Sequence, residues 1–222
     1  MNFPRIDFSD IKVTKSDDIL LYVSFILGIT LLGVYNNFPS QANAATVFFV
    51  MIIVWGFSTL AELQGGKGDY YSDVAGVGRR PWDALVWGLA TAVALALFVS
   101  LNKATVVAFI GVTDVFWRFF FVVVCAPIIE ANFFRGLVLP HTMGLLNRNW
   151  KADKTLIAGI SIFVTSVAFA WFHWFVLGGN VNDLGFMFVF SVIASIGVYA
   201  FRSIFFEYGM HGVWNVLAFF GS

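Results

Sequence analysis

The sequence predicts an all-α fold, a polytopic membrane bundle of seven or eight transmembrane helices around a polar internal cavity. Three observations predict it. Apolar residues make up 59% of the 222 and charged residues only 12%, about half the charge of an ordinary soluble domain. The apolar residues fall in long runs without polar alternation, which selects helices over barrel strands. Ionisable residues recur inside the later runs, where lipid would penalise them and a protein-lined, wet interior would not. In hydrocarbon every backbone polar group must be bonded within the protein, so spans are helices or closed barrels, and these unalternated runs are read as helices.

The elements follow in order. Residues 1–18 read as a polar tail, and 19–222 as a single membrane domain. Spans are expected at 19–35 and 45–61, and a third at 83–101. The apolar stretch 106–139 would be about 50 Å long as one helix, more than a bilayer requires. Pro127 inside it should kink or break it. It is read as one tilted span with an extension, or as a span followed by a short second helix. Further spans are expected at 156–177, 184–201 and 203–219. The longest polar loop, 62–81, carries glycines that imply tight turns, and 147–154 is a second polar loop. The part that bears the polar motifs is about 106–220.

Arg5, Lys12 and Lys15 precede the first span, Lys67, Arg79 and Arg80 follow the second, and Arg148, Lys151 and Lys154 precede the fifth. Lys103 is the sole base in the intervening loops. This alternation places the N-terminus in the cytoplasm of a multi-pass cell-membrane protein. Net charge is zero and no basic tract is present, so no nucleic-acid partner is expected. The single cysteine, Cys125, excludes an internal disulfide and reads as a small buried residue. The first 18 residues are polar and the apolar run after them lacks a convincing small-residue cleavage site, so no cleavable signal peptide is expected.

Charged or titratable groups expected at membrane depth are Asp114, Arg118, Glu130, Arg135, His173, Arg202, Glu207 and His211. Among them three patterns stand out: Glu130 to Gly136 just after Pro127, Phe169 with His173, and His211 with Asn215. Members of the last two pairs lie four residues apart and share a helix face. Phe169 can thus fix the ring of His173, and His211 and Asn215 can reach one cavity. A carboxylate held away from bulk water can act as a general base near neutral pH. With His173 it can hold and deprotonate a water, while His211 and the Asn215 amide donate to the oxyanion formed on a peptide carbonyl. Taken singly, each residue has a plainer reading: an ion pair for Glu130 with Arg135, a packing histidine, an interhelical hydrogen bond for Asn215. Their order on separate spans favours the joint one.

These residues resemble the CPBP family of intramembrane proteases, which includes the type II CAAX prenyl endopeptidases and bacterial Abi-type proteins. Its motifs are Glu-Glu-x-x-x-Arg, Phe-x-x-x-His and His-x-x-x-Asn or Asp. Glu130 and Arg135 match the first, Phe169 and His173 the second, His211 and Asn215 the third. The resemblance covers roughly 127–215 and implies a helical membrane fold with a glutamate-activated water. One position departs from it: Ala131 stands where the motif has its second glutamate. Glu207, one turn before His211, is a candidate substitute on helical spacing alone.

The function expected is that of an intramembrane endopeptidase. Glu130 is the base, His173 holds the water, and His211 with Asn215 stabilises the oxyanion. Arg135 and Phe169 support them. The substrate is a peptide or protein segment at the bilayer, with a lipidated CAAX tail as one candidate. No cofactor is expected, with zinc on Glu130, His173 and His211 as the minority alternative. The alternative function, motivated by Ala131, is a catalytically silent relative that serves as a membrane binding, immunity or scaffold protein. A transporter lacks support, since no repeated half is visible. Gly66-Lys67-Gly68-Asp69 spells an aspartyl-protease motif but lies in a polar loop. Neither a Gly-x-Ser-x-Gly nor a His-Glu-x-x-His occurs.

Overall fold

The computed structural model describes residues 80–98, 115–150, 152–174 and 181–221. The tail, the first two expected spans, the Gly66–Asp69 motif and Asp114 lie outside the described residues, as does the side chain of Arg118. All regular structure among the described residues is helical. Helix α1 spans Pro81–Phe98, with Pro81 and Asp83 in its first turn, where a missing N–H is harmless and a negative charge meets the positive helix end. Helix α2 runs without interruption over 115–149. Helices α3, α4 and α5 are Lys154–Trp174, Val181–Phe201 and Phe205–Gly221.

Helix α2 departs most from expectation. It continues past residue 139 to Asn149, with two π-helical segments, Phe120–Cys125 and Asn132–Val138, set between α-helical ones. Pro127 and Pro140 each stand in the first turn of the α segment that follows a π segment. A proline needs a place in the helix where its missing N–H costs nothing, and the change from i→i+5 to i→i+4 bonding supplies one. The prolines therefore do not break the helix.

Asp153 opens α3: its carboxylate accepts the Thr155 backbone N–H at 2.8 Å. That bond, followed by one from the Thr155 side chain, holds the Asp153 carboxyl below the usual carboxylate range. The turn from α4 to α5 is a Schellman motif. Arg202 takes the left-handed position, φ 50°, and the Ser203 N–H returns to the Val198 carbonyl at 3.3 Å. Arg202 thus sits in a turn and not within a span.

Val122–Asn149, Lys154–His173 and Val181–Phe201 are long and apolar enough to cross a membrane. Helix α5, at 17 residues, is shorter. On α3 the outward stripe is Leu156, Phe163, Val164, Val167 and Trp171, whereas Ser161, Thr165, Ser166 and His173 are buried. An apolar exterior over a partly polar interior reverses the pattern of a soluble helix and suits lipid. Cys125 is only partly buried.

The core joins all five helices through Ala84, Ala92, Phe134, Phe169, Phe190, Phe206 and Met210. At its centre α1 and α5 approach backbone to backbone. A Cβ on Gly88 would lie 2.0 Å from the Phe206 carbonyl oxygen, and one on Gly209 would lie 2.5 Å from that of Leu85. Ala84, Gly88 and Ala92, four residues apart, form the small-residue stripe that such an approach requires.

Candidate active site

The site is assembled where α5 runs antiparallel to α2. Glu207, His211 and Asn215 repeat every four residues and so share one face of α5. Glu207 meets Arg135, with Nε to Oε2 at 3.1 Å. One turn on, His211 Nε2 lies 3.9 Å from Glu130 Oε2. One further turn on, Asn215 Nδ2 donates to the Val122 carbonyl at 2.7 Å.

The second π segment brings the two faces closer. On an α-helix five residues advance 500°, which would leave Glu130 and Arg135 about 140° apart. Wider π turns between 132 and 138 narrow that angle. The first π segment explains the Asn215 contact. Val122 lies five residues before Pro127, which has no N–H to offer at π spacing, and the Asn215 amide supplies one.

From α3, His173 brings Nε2 to 3.5 Å from the same Glu130 oxygen. Its Nδ1 lies 2.9 Å from the Phe169 carbonyl. A carbonyl only accepts, so Nδ1 carries the hydrogen and Nε2 of the neutral ring presents a lone pair. Glu130 and His173 thus face each other as two acceptors, an arrangement that suits a water donating to both. The Phe169 ring packs against that of His173 with centroids 4.4 Å apart, and Phe190 meets the His211 ring edge-on at 5.3 Å.

Two layers differ in access. Glu130, His173 and His211 retain 8%, 9% and 6% exposure, whereas Arg135, Glu207 and Phe169 are at 0%. All six are buried, and the second set lies deeper than the first. In that second layer Arg135 Nη2 donates to Ser191 Oγ at 3.0 Å, and its guanidinium lies 4.5 Å from the Phe169 ring centroid.

Sequence reasoning missed Ser191 and Phe190, whose sole signal is their position on one apolar helix. It also missed Asn132, which donates to the Ile128 carbonyl at 2.7 Å and to the Tyr208 hydroxyl at 2.8 Å. That pair ties the opening of the second π segment to α5. Among the described residues no group of three His, Cys, Asp or Glu stands in metal-holding geometry, so the zinc alternative finds no ready ligand set.

No curated protein and no solved structure matches the chain. Residues 112–217, which contain every motif residue above, match the family model described as type II CAAX prenyl endopeptidase Rce1-like. That segment, just under half of the chain, is similar to the CAAX-type intramembrane protease family, and its apolar helices mark an integral membrane protein.

Proposed function

We propose that the chain hydrolyses a peptide bond at the membrane with a water activated by Glu130. The observation that carries this is the convergence of His173 Nε2 and His211 Nε2 on one Glu130 oxygen, at 3.5 and 3.9 Å. The water donates one hydrogen to Glu130 and the other to the His173 lone pair. Its oxygen attacks the scissile carbonyl carbon as Glu130 takes its proton. His211 Nε2–H and the second N–H of the Asn215 amide donate to the oxyanion, each worth about 100-fold or more in rate. Collapse breaks the C–N bond, and Glu130 returns the proton to the leaving amine.

The substrate in this reading is a peptide or protein segment held at the bilayer. A prenylated CAAX tail is the first probe, because the matching family is described by that activity. The exposed Arg148 and Lys154, at facing ends of α2 and α3, support a cytoplasmic α2–α3 turn and, with the alternation of basic loops, a cytoplasmic N-terminus.

Ala131 favours a second reading, a silent relative that binds a membrane peptide without cleaving it. Cleavage of a farnesylated CAAX peptide by the reconstituted chain, compared with Glu130→Gln, decides between them. Loss of cleavage with retained peptide binding supports the peptidase. Binding by both proteins with cleavage by neither supports the silent relative.

A further inference from the structure

We propose that Glu207 supplies, from α5, the carboxylate that the first motif lacks at Ala131, so that the motif's two acids are divided between two helices. The proposal rests on the reading of Glu130 as the base. Arg135 is wholly buried, and a buried cation needs an anion beside it. Ala131, four residues before Arg135 on α2, is also at 0% exposure and offers only a methyl group. The anion comes instead from Glu207, at 3.1 Å and 0% exposure. The contact is a close ion pair and not an aligned hydrogen bond, because neither Nε nor Oε2 makes a hydrogen bond among the described residues.

Glu207 is a positioning residue. Sealed from solvent, it cannot touch substrate, and it acts through Arg135. The guanidinium it holds lies 4.5 Å from the Phe169 ring, and that ring lies 4.4 Å from His173 and 6.2 Å from His211. Moving the acid to α5 has a consequence that an acid at 131 would not have. Such an acid would fix Arg135 within α2 alone, whereas Glu207 also sets the register of α5, and with it His211 one turn on. Charge balance and placement of the third motif become one contact.

The test compares the full chain in detergent micelles and liposomes as Glu207→Gln, Glu207→Asp, Ala131→Glu and Ala131→Glu/Glu207→Gln. Glu207→Gln should lower the unfolding midpoint by about 10 °C. It should also reduce kcat at least tenfold with KM unchanged. The double variant should recover at least half of both losses, while Ala131→Glu alone, which adds an acid beside a satisfied arginine, lowers the midpoint. A Glu207→Gln midpoint within about 2 °C of the parent overturns the proposal. So does a monodisperse double variant no better than Glu207→Gln. Should the double variant not fold, Glu207→Asp decides: partial recovery relative to Gln supports the charge role, and equality with Gln overturns it. The midpoints need no substrate, so they stand even if Glu130→Gln shows that Glu130 is not the base.

Discussion

A methyl group at Gly88, on a helix that carries no motif residue, should disturb the chemistry. Its Cβ would sit 2.0 Å from the Phe206 carbonyl oxygen and 2.9 Å from the Met210 nitrogen. Carbon and carbonyl oxygen settle at about 3.3 Å or more, so α1 and α5 must part by about 1 Å. The contact is with backbone, and no side chain can rotate away to relieve it. Phe206 adjoins Glu207, and Met210 adjoins His211, so the displaced part of α5 is the part that faces Arg135 and Glu130. Overpacking of this kind costs about 1–3 kcal/mol, a fall in midpoint of roughly 2–12 °C for a chain of this size. A misplacement of about 1 Å costs about 100-fold in rate. The assay pairs thermal unfolding with peptide cleavage for Gly88→Ala. Gly159→Ala and Gly185→Ala serve as controls, since a Cβ there meets nothing within 4 Å and helix propensity gains up to about 1 kcal/mol. Parent-like stability and rate in Gly88→Ala, or equal losses in the controls, would refute the reasoning.

Two further outcomes follow from the support of the site. Phe169→Ala should lose about 3–5 kcal/mol, measured by denaturation, because the ring is fully buried and lies between Arg135 and His173. Its cleavage should fall even at temperatures where the variant stays folded. Asn215→Ala should cost about 1–3 kcal/mol by leaving the Val122 carbonyl without its donor. The same loss should appear in a Glu130→Gln background, which separates the structural role of the amide from the role proposed for it toward the oxyanion.

Much of this site was legible because its residues recur at a spacing that one helix converts into one face. Phe169 with His173 and His211 with Asn215 are read directly from a separation of four. The Glu130–Arg135 pair was harder, because a separation of five faces two ways on an α-helix and is narrowed by the π segment at 132–138. That segment leaves no trace in apolar periodicity, which is also why Pro127 read as a break and residue 139 as an end. The contact of Arg135 with Glu207 joins residues far apart in the chain and depends on how α5 crosses α2. Helical spacing singled out Glu207 but could not name its partner. Gly88 and Gly209 gave no signal in isolation, since only the crossing of α1 and α5 shows that each needs its missing side chain. The apolar runs anticipated the described extents of α1, α3, α4 and α5 to within three residues, because lipid demands length and hydrophobicity and little else.

The most direct test of the central claim is hydrolysis of a bilayer-held, farnesylated CAAX peptide by the purified chain in liposomes, with Glu130→Gln measured alongside. General-base catalysis is worth about 100- to 10,000-fold. The account predicts peptide-bond cleavage by the parent, a loss of that size in Glu130→Gln, and an unchanged apparent affinity for the peptide. Cleavage at the parental rate by Glu130→Gln would contradict it.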